Sequence, residues 1–290
     1  MTSRSPALIE HFSEIAGRYD VLLCDVWGVV HDGKRAFDAA NDALTRFRAK
    51  GGTVVLVSNA PMPGDAVAAL LDRLGVLRSA WDEIVTSGDI SLRYISERGY
   101  RRVYGIGPLP RDASFFDRLP GRVTDIAAAD CVACTGLVDD RRETAETYRP
   151  LLESALGRRV PFVCANPDLA VHVGHDLLPC AGAIADLYEK MGGPVVWAGK
   201  PHASAYQTGL DVAQRIRGST IDKRRVLGIG DAVRTDLASA AGADVDGLFI
   251  ASGLHRDDVM RAGRVDVAAA RRLLDEANMT AIGVMAALKW

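Results

Sequence analysis

The chain has 290 residues, 35 basic and 37 acidic side chains, a net charge of −2, and 48% apolar residues. This composition is typical of a globular protein with a sizeable core in one or two domains. It excludes a disordered, collagenous or coiled-coil chain. The charge gives no reason to expect nucleic acid or an anionic membrane as a partner.

The location expected from the sequence is the cytoplasm. The N-terminal segment carries acidic side chains and lacks a continuous apolar run, so it does not resemble a signal peptide. No stretch of about 18 apolar residues is present, so no membrane span is expected. Five cysteines in a chain of this size do not indicate the disulfide framework of a small secreted protein.

Short apolar runs alternate with segments of helical period through the first third of the chain. The predicted elements, in chain order, are strand Val21–Cys24, helix Ala36–Lys50, strand Thr53–Val57, helix Ala66–Leu74, strand Glu83–Thr86 and helix Ile90–Arg98. A continuous apolar run is typical of a strand that is buried on both faces. The alternation therefore predicts an α/β fold with a doubly wound parallel sheet.

The same alternation continues with different loops to the end of the chain. A second α/β unit is predicted from strands Arg102–Ile106, Cys131–Cys134 and Phe162–Ala165 and helices Glu143–Leu156 and Ala181–Met191. The elements predicted after it are strand Val195–Ala198, helix His202–Arg217, strand Val226–Ile229, helix Leu237–Ala241 and a final strand Leu248–Ile250. The apolar segment that begins at Gly283 is predicted to be the end of a docked helix.

Polar side chains follow several of the apolar runs, at the point where each predicted strand ends. In chain order these residues are Asp25, Ser58, Asn59, Lys200 and Asp231, with Asp236 near the start of the next helix. Taken singly, each has an ordinary explanation as a helix cap, a turn or a solvated residue. In a doubly wound sheet, however, ligands bind beyond the carboxyl ends of the strands, so these side chains are expected to meet there.

The chemistry of this set indicates a divalent cation and a phosphate group. Carboxylates that lie together raise each other's pKa values unless a cation joins them. Mg²⁺, a hard cation that prefers oxygen ligands, is the natural companion. A lysine and a hydroxyl that face the cation leave space for an anion, and phosphate fits that space. The sequence therefore predicts phosphoryl transfer to an aspartate nucleophile.

At these positions the sequence resembles the haloacid dehalogenase-like (HAD) hydrolases. It most resembles the NagD-like sugar phosphatases and 4-nitrophenyl phosphatases, which carry a C2-type α/β cap between the second and third motifs. The four motifs, in order, correspond to Asp25-Val26-Trp27-Gly28-Val29-Val30, Ser58-Asn59, Gly199-Lys200-Pro201 and Gly230-Asp231-Ala232-Val233-Arg234-Thr235-Asp236. Asn166-Pro167-Asp168 resembles a loop that is common in that cap. Four motifs in this order are far more specific than any one alone.

The resemblance implies an Mg²⁺-dependent phosphatase that hydrolyses a small phosphorylated metabolite, such as a sugar phosphate, through an aspartyl phosphate on Asp25. The implied metal ligands are Asp25, the backbone carbonyl of Trp27 and Asp231. Asp236 is expected to act less directly, through a water molecule or by orienting Lys200.

The resemblance also implies the phosphate contacts and the domain organisation. Ser58, the backbone amide of Asn59 and Lys200 are expected to hold the phosphate oxygens. Residues 1–88 and 195–290 are expected to form a HAD-like Rossmannoid catalytic core. Residues 89–194 are expected to form the inserted cap that selects the substrate. A homodimer is consistent with the resemblance.

Trp27 is the position at which the sequence departs from the family pattern. Most phosphatases of the family have a second aspartate there, which protonates the leaving oxygen and then activates water. General acid–base catalysis of this kind is worth about 10²- to 10⁴-fold in rate. Three explanations stay open: His31, Asp32 or His202 substitutes for the missing acid, the substrate has a good leaving group, or catalysis is slow or lost. The Trp27 ring either stacks on a substrate ring or shields the site from water.

Two other functions stay open beside the phosphatase. A degenerate site, suggested by Trp27, would make the protein a regulatory protein that binds a phosphorylated ligand. A metal-independent dehalogenase also lacks the second aspartate, although the presence of Asp231 and Asp236 argues against a dehalogenase.

Within the cap, Asn166 and Asp168 are predicted substrate contacts, with a simple turn as the alternative.

Overall fold

A computed structural model of the chain describes residues 6–173 and 176–290. The strands in these residues, numbered β1 to β16 in chain order, are Ala7–Leu8, Val21–Cys24, Thr53–Ser58, Glu83–Thr86, Val103–Ile106, Arg122–Val123, Cys131–Cys134, Phe162–Cys164, Ala170–Val173, Asp176–Pro179, Val195–Trp197, Val226–Gly230, Asp246–Ile250, Met260–Arg261, Arg264–Val265 and Gly283–Met285. The α-helices, numbered α1 to α10, are Asp38–Ala49, Gly64–Leu74, Ser87–Glu97, Leu109–Phe116, Arg149–Gly157, Ala181–Lys190, Ala203–Arg217, Ala238–Ala243, Arg256–Val259 and Val267–Glu276. A π-helical turn, Val233–Leu237, precedes α8.

The chain divides into two compact units. Of the described residues, those within 1–58, 68–85 and 200–290 form unit 1, and those within 59–67 and 86–199 form unit 2. Unit 1 is built on a seven-stranded sheet in the order β1-β16-β13-β12-β2-β3-β4. The pairings from β1 through β3 are parallel. The central strands β2 and β12 are buried along their whole length, as expected for strands covered on both faces.

Unit 2 contains a second parallel sheet, with five strands in the order β11-β8-β7-β5-β6. Helices α5 and α6 pack against each other, and α6 also packs on β8 and β11. Strands β9 and β10, also in this unit, pair with each other in the antiparallel direction. Parallel sheets flanked by helices in both units confirm the predicted α/β fold class.

The C-terminal segment differs from the sequence prediction. Gly283–Met285 is a strand that pairs with β13, whereas the sequence led us to expect a docked helix there and a final strand at Leu248–Ile250. Three residues are too few for periodicity to distinguish a strand from a helix. The prediction was wrong because pairing with a distant strand decides the conformation of this short segment.

Two helices in the middle of the chain also differ from expectation. The predicted helix Glu143–Leu156 begins instead at Arg149, after a 3-10 turn over Ala145–Tyr148. Pro150 favours this start, because proline is tolerated in the first turn of a helix. Helix Leu109–Phe116 was not predicted.

None of the helices in the described part of the chain combines the length and apolarity that crossing a membrane requires.

Candidate active site

Three neighbouring strands of unit 1 bring predicted site residues to one edge of the sheet. Strand β2 pairs in parallel with both β12 and β3, so the residues that end these strands lie side by side. Asp25 follows β2 and donates its backbone N–H to the carbonyl of Ile229 at 2.8 Å. Asp231 follows β12, and Ser58 is the last residue of β3.

Lys200 joins two carboxylates in this unit. Its Nζ atom lies 2.5 Å from Oδ1 of Asp25 and 2.7 Å from Oδ1 of Asp236. The lysine is only 3% exposed, so both ion pairs are shielded from solvent. The other carboxylate oxygen of Asp236 accepts the backbone N–H of Ala232 at 3.0 Å. Asp236 is therefore hydrogen-bonded at both oxygens, and Lys200 lies between it and Asp25.

The site holds more negative than positive charge. One carboxylate oxygen from each of Asp25, Asp231 and Asp236 lies within 4.8 Å of the other two. Burial, and then the charge of Asp236, raise the pKa of Asp25 well above its usual value and the pKa of Asp231 to about 7. Burial alone would lower the pKa of Lys200, but the charges of Asp236 and Asp25 outweigh it and raise that pKa. Three oxygen donors with excess negative charge fit a hard divalent cation.

The backbone approaches Asp231 closely on two sides. Gly28 has φ +82°, and a Cβ atom there would lie 2.0 Å from Oδ2 of Asp231; a Cβ atom on Gly253 would lie 1.9 Å from the same oxygen. The backbone N–H of Leu254 donates to this oxygen at 2.7 Å. Glycine is therefore required at both positions. Sequence reasoning missed Gly253 and Leu254, which lie just beyond the carboxyl end of β13. The strand-end rule, that ligands bind beyond the carboxyl ends of the strands of a doubly wound sheet, applies to them as well.

Trp27 lies on a tight turn after β2 and is 51% exposed. Its ring covers Gly33, where a Cβ atom would lie 2.4 Å from Cη2 of the indole. The ring also meets the His31 imidazole edge to face, with centroids 5.3 Å apart. The carbonyl of His31 accepts the backbone N–H of Gly28 at 2.9 Å and closes the turn.

The three predicted substitutes for the missing acid occupy different settings. Nδ1 of His31 accepts the backbone N–H of Gly33 at 2.9 Å, so its ring proton is on Nε2, and burial lowers its pKa. Asp32 accepts two backbone N–H groups of its own turn, at 2.9 and 3.0 Å, which lower its pKa. Both are therefore poor proton donors at neutral pH. His202 is half-buried and immediately precedes α7.

The predicted substrate contacts of unit 2 belong to an ordered turn. Oδ1 of Asn166 accepts the backbone N–H of Asp168 at 3.2 Å. Oδ1 of Asp168 accepts the side-chain amide of Asn59, also in unit 2, at 2.9 Å. Gly182 lies against the turn, because a Cβ atom there would be 2.4 Å from the carbonyl oxygen of Pro167. Contact of Asn166 or Asp168 with a substrate stays a prediction.

Known proteins resemble this chain in sequence and in fold. A sequence model of the haloacid dehalogenase-like hydrolase family matches residues 22–116, and a second family model, described as HAD-hydrolase-like, matches residues 197–277. A haloacid dehalogenase-like family hydrolase from Brucella suis 1330 is 43% identical, with 97% of this chain and all (100%) of that chain covered and a TM-score of 0.83.

Two further relatives are named for their activities. An acid sugar phosphatase from Staphylococcus saprophyticus is 24% identical over 244 residues, which cover 81% of this chain and 88% of that protein. A D-glycerol 3-phosphate phosphatase from Mycobacterium tuberculosis is 28% identical over 246 residues, which cover 83% of this chain and 65% of that protein. The two family models and the Brucella suis relative confirm the predicted family, and the chain belongs to the haloacid dehalogenase-like hydrolase family.

Proposed function

We propose that this protein is an Mg²⁺-dependent phosphatase that hydrolyses a small phosphorylated metabolite, such as a sugar phosphate. The observation that carries the proposal is the buried cluster in which Lys200 joins Asp25 to Asp236 beside Asp231. The relatives named acid sugar phosphatase and D-glycerol 3-phosphate phosphatase support a phosphate monoester as the substrate class.

Asp25 is the proposed nucleophile. One of its carboxylate oxygens attacks phosphorus while the bond from phosphorus to the leaving oxygen breaks, which produces an aspartyl phosphate and a leaving group whose oxygen takes a proton from solvent. Water then attacks phosphorus and gives up a proton to solvent, the bond to Asp25 breaks, and inorganic phosphate leaves with the carboxylate restored. Burial raises the pKa of Asp25, and the neighbouring ammonium of Lys200 lowers it, so Lys200 favours the ionised form that acts as the nucleophile.

The other residues of the cluster hold the phosphate and the metal. Asp25, Asp231 and the backbone carbonyl of Trp27 would bind Mg²⁺, which when bound neutralises charge on the phosphate. Lys200, the hydroxyl of Ser58 and the backbone N–H of Asn59 would hold the non-bridging oxygens, where charge is spread in the transition state.

The leaving group limits the substrates that react well. Trp27 supplies no proton, and His31 and Asp32 are poor donors near neutral pH. These observations favour a substrate whose leaving oxygen needs little protonation, such as an aryl, acyl or anomeric phosphate. We assign the choice among such substrates to the inserted region, residues 89–194, acting as a C2-type cap. Trp27 also keeps a second function open, in which the protein binds a phosphorylated ligand without turnover.

The test is hydrolysis of 4-nitrophenyl phosphate with and without Mg²⁺. Wild-type protein is expected to turn over only with the metal, and Asp25→Asn is expected to abolish turnover. Asp275→Asn is the matched control, because Asp275 is exposed on α10 and lies outside the site. Full activity of Asp25→Asn would overturn the proposal. Tight phosphate binding without turnover on a broad substrate panel would favour the binding function instead.

A further inference from the structure

Within unit 2, three neighbours fix the side-chain amide of Asn59, which is 8% exposed. Its Nδ2 atom donates to Oδ1 of Asp168 at 2.9 Å, and its Oδ1 accepts the hydroxyl of Ser87 at 3.4 Å. Gly199 closes the third side, because a Cβ atom there would lie 2.6 Å from Oδ1 of Asn59 and 2.1 Å from Oγ of Ser87. The orientation of this amide is therefore set by its surroundings.

The residues of this cluster are sequence neighbours of the phosphate-binding residues proposed above. Asn59 follows Ser58 in the chain, and Gly199 precedes Lys200. The side-chain amide of Asn59 bonds Asp168 and Ser87, whereas the phosphate contact proposed above for Asn59 is its backbone N–H. Fixing the side chain at both ends of its amide restricts rotation of the residue, and this in turn fixes the direction of that N–H.

The partner of Asn59 is itself held in place. Asp168 donates its backbone N–H to Oδ1 of Asn166 in the same turn, at 3.2 Å. Cys164 donates its thiol to the carbonyl of Asn166 at 3.3 Å, from the end of the buried strand β8. The Asn-Pro-Asp turn thus links a rigid strand end to the side chain of Asn59.

We propose that Asp168 is a positioning residue of the phosphate site rather than a substrate contact. It acts through Asn59, whose backbone N–H it aims at the phosphate, and the inference therefore rests on the proposed function. What Asp168 must supply is a hydrogen-bond acceptor, and its negative charge is not required. A substrate contact made by the carboxylate would instead require that charge.

The experiment exchanges donor and acceptor between the two residues. Asp168→Asn keeps an acceptor oxygen and removes the charge, Asp168→Ala removes the acceptor, and Asn59→Asp sets two carboxylates against each other. In the double variant Asn59→Asp/Asp168→Asn the introduced amide donates to the introduced carboxylate, which restores the hydrogen bond with reversed polarity. Binding of inorganic phosphate to the Mg²⁺-loaded protein is measured by calorimetry, and KM and kcat are measured with 4-nitrophenyl phosphate.

Asp168→Ala and Asn59→Asp are expected to weaken phosphate binding and raise KM by about tenfold, the effect of losing one well-aimed hydrogen-bond donor, with a smaller change in kcat. Asp168→Asn and the double variant are expected to stay within about threefold of wild type. A loss in Asp168→Asn as large as in Asp168→Ala would overturn the proposal and support a charged substrate contact. A double variant no better than Asn59→Asp would also overturn it, as would wild-type phosphate binding in Asp168→Ala.

Failure of the proposed function is separable from failure of this inference. If the wild type binds phosphate but hydrolyses no ester, the phosphatase proposal fails while the calorimetric comparison still decides the role of Asp168. Gly199→Ala offers a second route to the same cluster, because its Cβ atom would displace the amide of Asn59. It is expected to weaken phosphate binding about as much as Asp168→Ala, and unchanged binding would contradict the inference.

Discussion

The ammonium of Lys200 and the carboxylate of Asp236 form a buried ion pair 2.7 Å long, in which the side chains are 3% and 2% exposed. Lys200 is also paired with Asp25, so one cation holds two carboxylates out of contact with water. Removing one partner of a buried pair leaves uncompensated charge, which costs far more than the loss of an exposed pair.

Lys200→Met is expected to lower the free energy of unfolding of the metal-free protein by about 3–5 kcal/mol. Urea unfolding near neutral pH measures this change, and added Mg²⁺ is expected to recover part of it. Lys190→Met is the control, because Lys190 pairs with Asp186 at 2.6 Å but its side chain is 72% exposed. The control is expected to cost less than about 1 kcal/mol. Equal losses in the two variants would show that burial of the Lys200 pair is unimportant.

Magnesium binding is expected to weaken as the pH falls through about 7, because the pKa of Asp231 is raised to about 7 and the cation must displace its proton. In the metal-free protein the folded state holds this proton, whereas the unfolded chain, with a pKa of about 3.9, releases it. The folded state is therefore destabilised by this group as the pH rises from about 4 to 7.

Mg²⁺ offsets this destabilisation by replacing the proton. The increase in Tm on adding Mg²⁺ is therefore expected to be larger at about pH 8 than at about pH 5.5. Asp231→Asn should remove most of the difference between the two pH values. A metal-induced shift in Tm that does not depend on pH would argue against Asp231 as a ligand.

Trp27→Asp tests whether a missing general acid limits the rate. The variant is expected to gain activity, by as much as about 10²-fold, on alkyl phosphates, whose leaving oxygen needs a proton. The gain should be much smaller on 4-nitrophenyl phosphate, whose leaving group is already stabilised. Trp27→Phe is the control, since it also removes the indole but adds no carboxyl group. Equal gains in both variants would mean that the bulk of Trp27, and not the missing acid, limits turnover.

Gly28→Ala is expected to weaken Mg²⁺ binding by more than about tenfold, because its Cβ atom would lie 2.0 Å from Oδ2 of Asp231. Gly75→Ala is a matched control, since Gly75 has φ +87° and no atom within 4 Å of its Cβ position. Both variants incur the backbone strain of a left-handed conformation, about 1–2 kcal/mol. Calorimetry measures the Mg²⁺ affinity of both variants, and only Gly28→Ala is expected to lose affinity because only its Cβ atom clashes with Asp231. A similar loss of affinity in the two variants would contradict the expected clash.

The strand-end rule identified Asp25 and Asp231 from sequence because the parallel neighbours β2 and β12 bring their carboxyl ends to one edge of a sheet. It does not explain Lys200, which follows β11, a strand of the other sheet. It did not identify Leu254, which contributes a backbone N–H rather than a characteristic side chain. It also did not reveal strand Gly283–Met285, whose conformation depends on pairing with β13. A backbone N–H is present in almost every residue, and a short segment becomes a strand because of its pairing partner. Neither feature can therefore be predicted from the residue types alone.

The sequence by itself determined the fold class and the residue types that end the strands, because periodicity and strand-end position are local properties of the chain. Only the tertiary structure decided which atoms pair. Lys200 donates a hydrogen bond to Asp25, 175 residues away in the sequence, and Asn59 donates one to Asp168, 109 residues away. Such pairs form only when a whole sheet has packed and brought its loops together, so no local pattern reveals which oxygen each donor reaches.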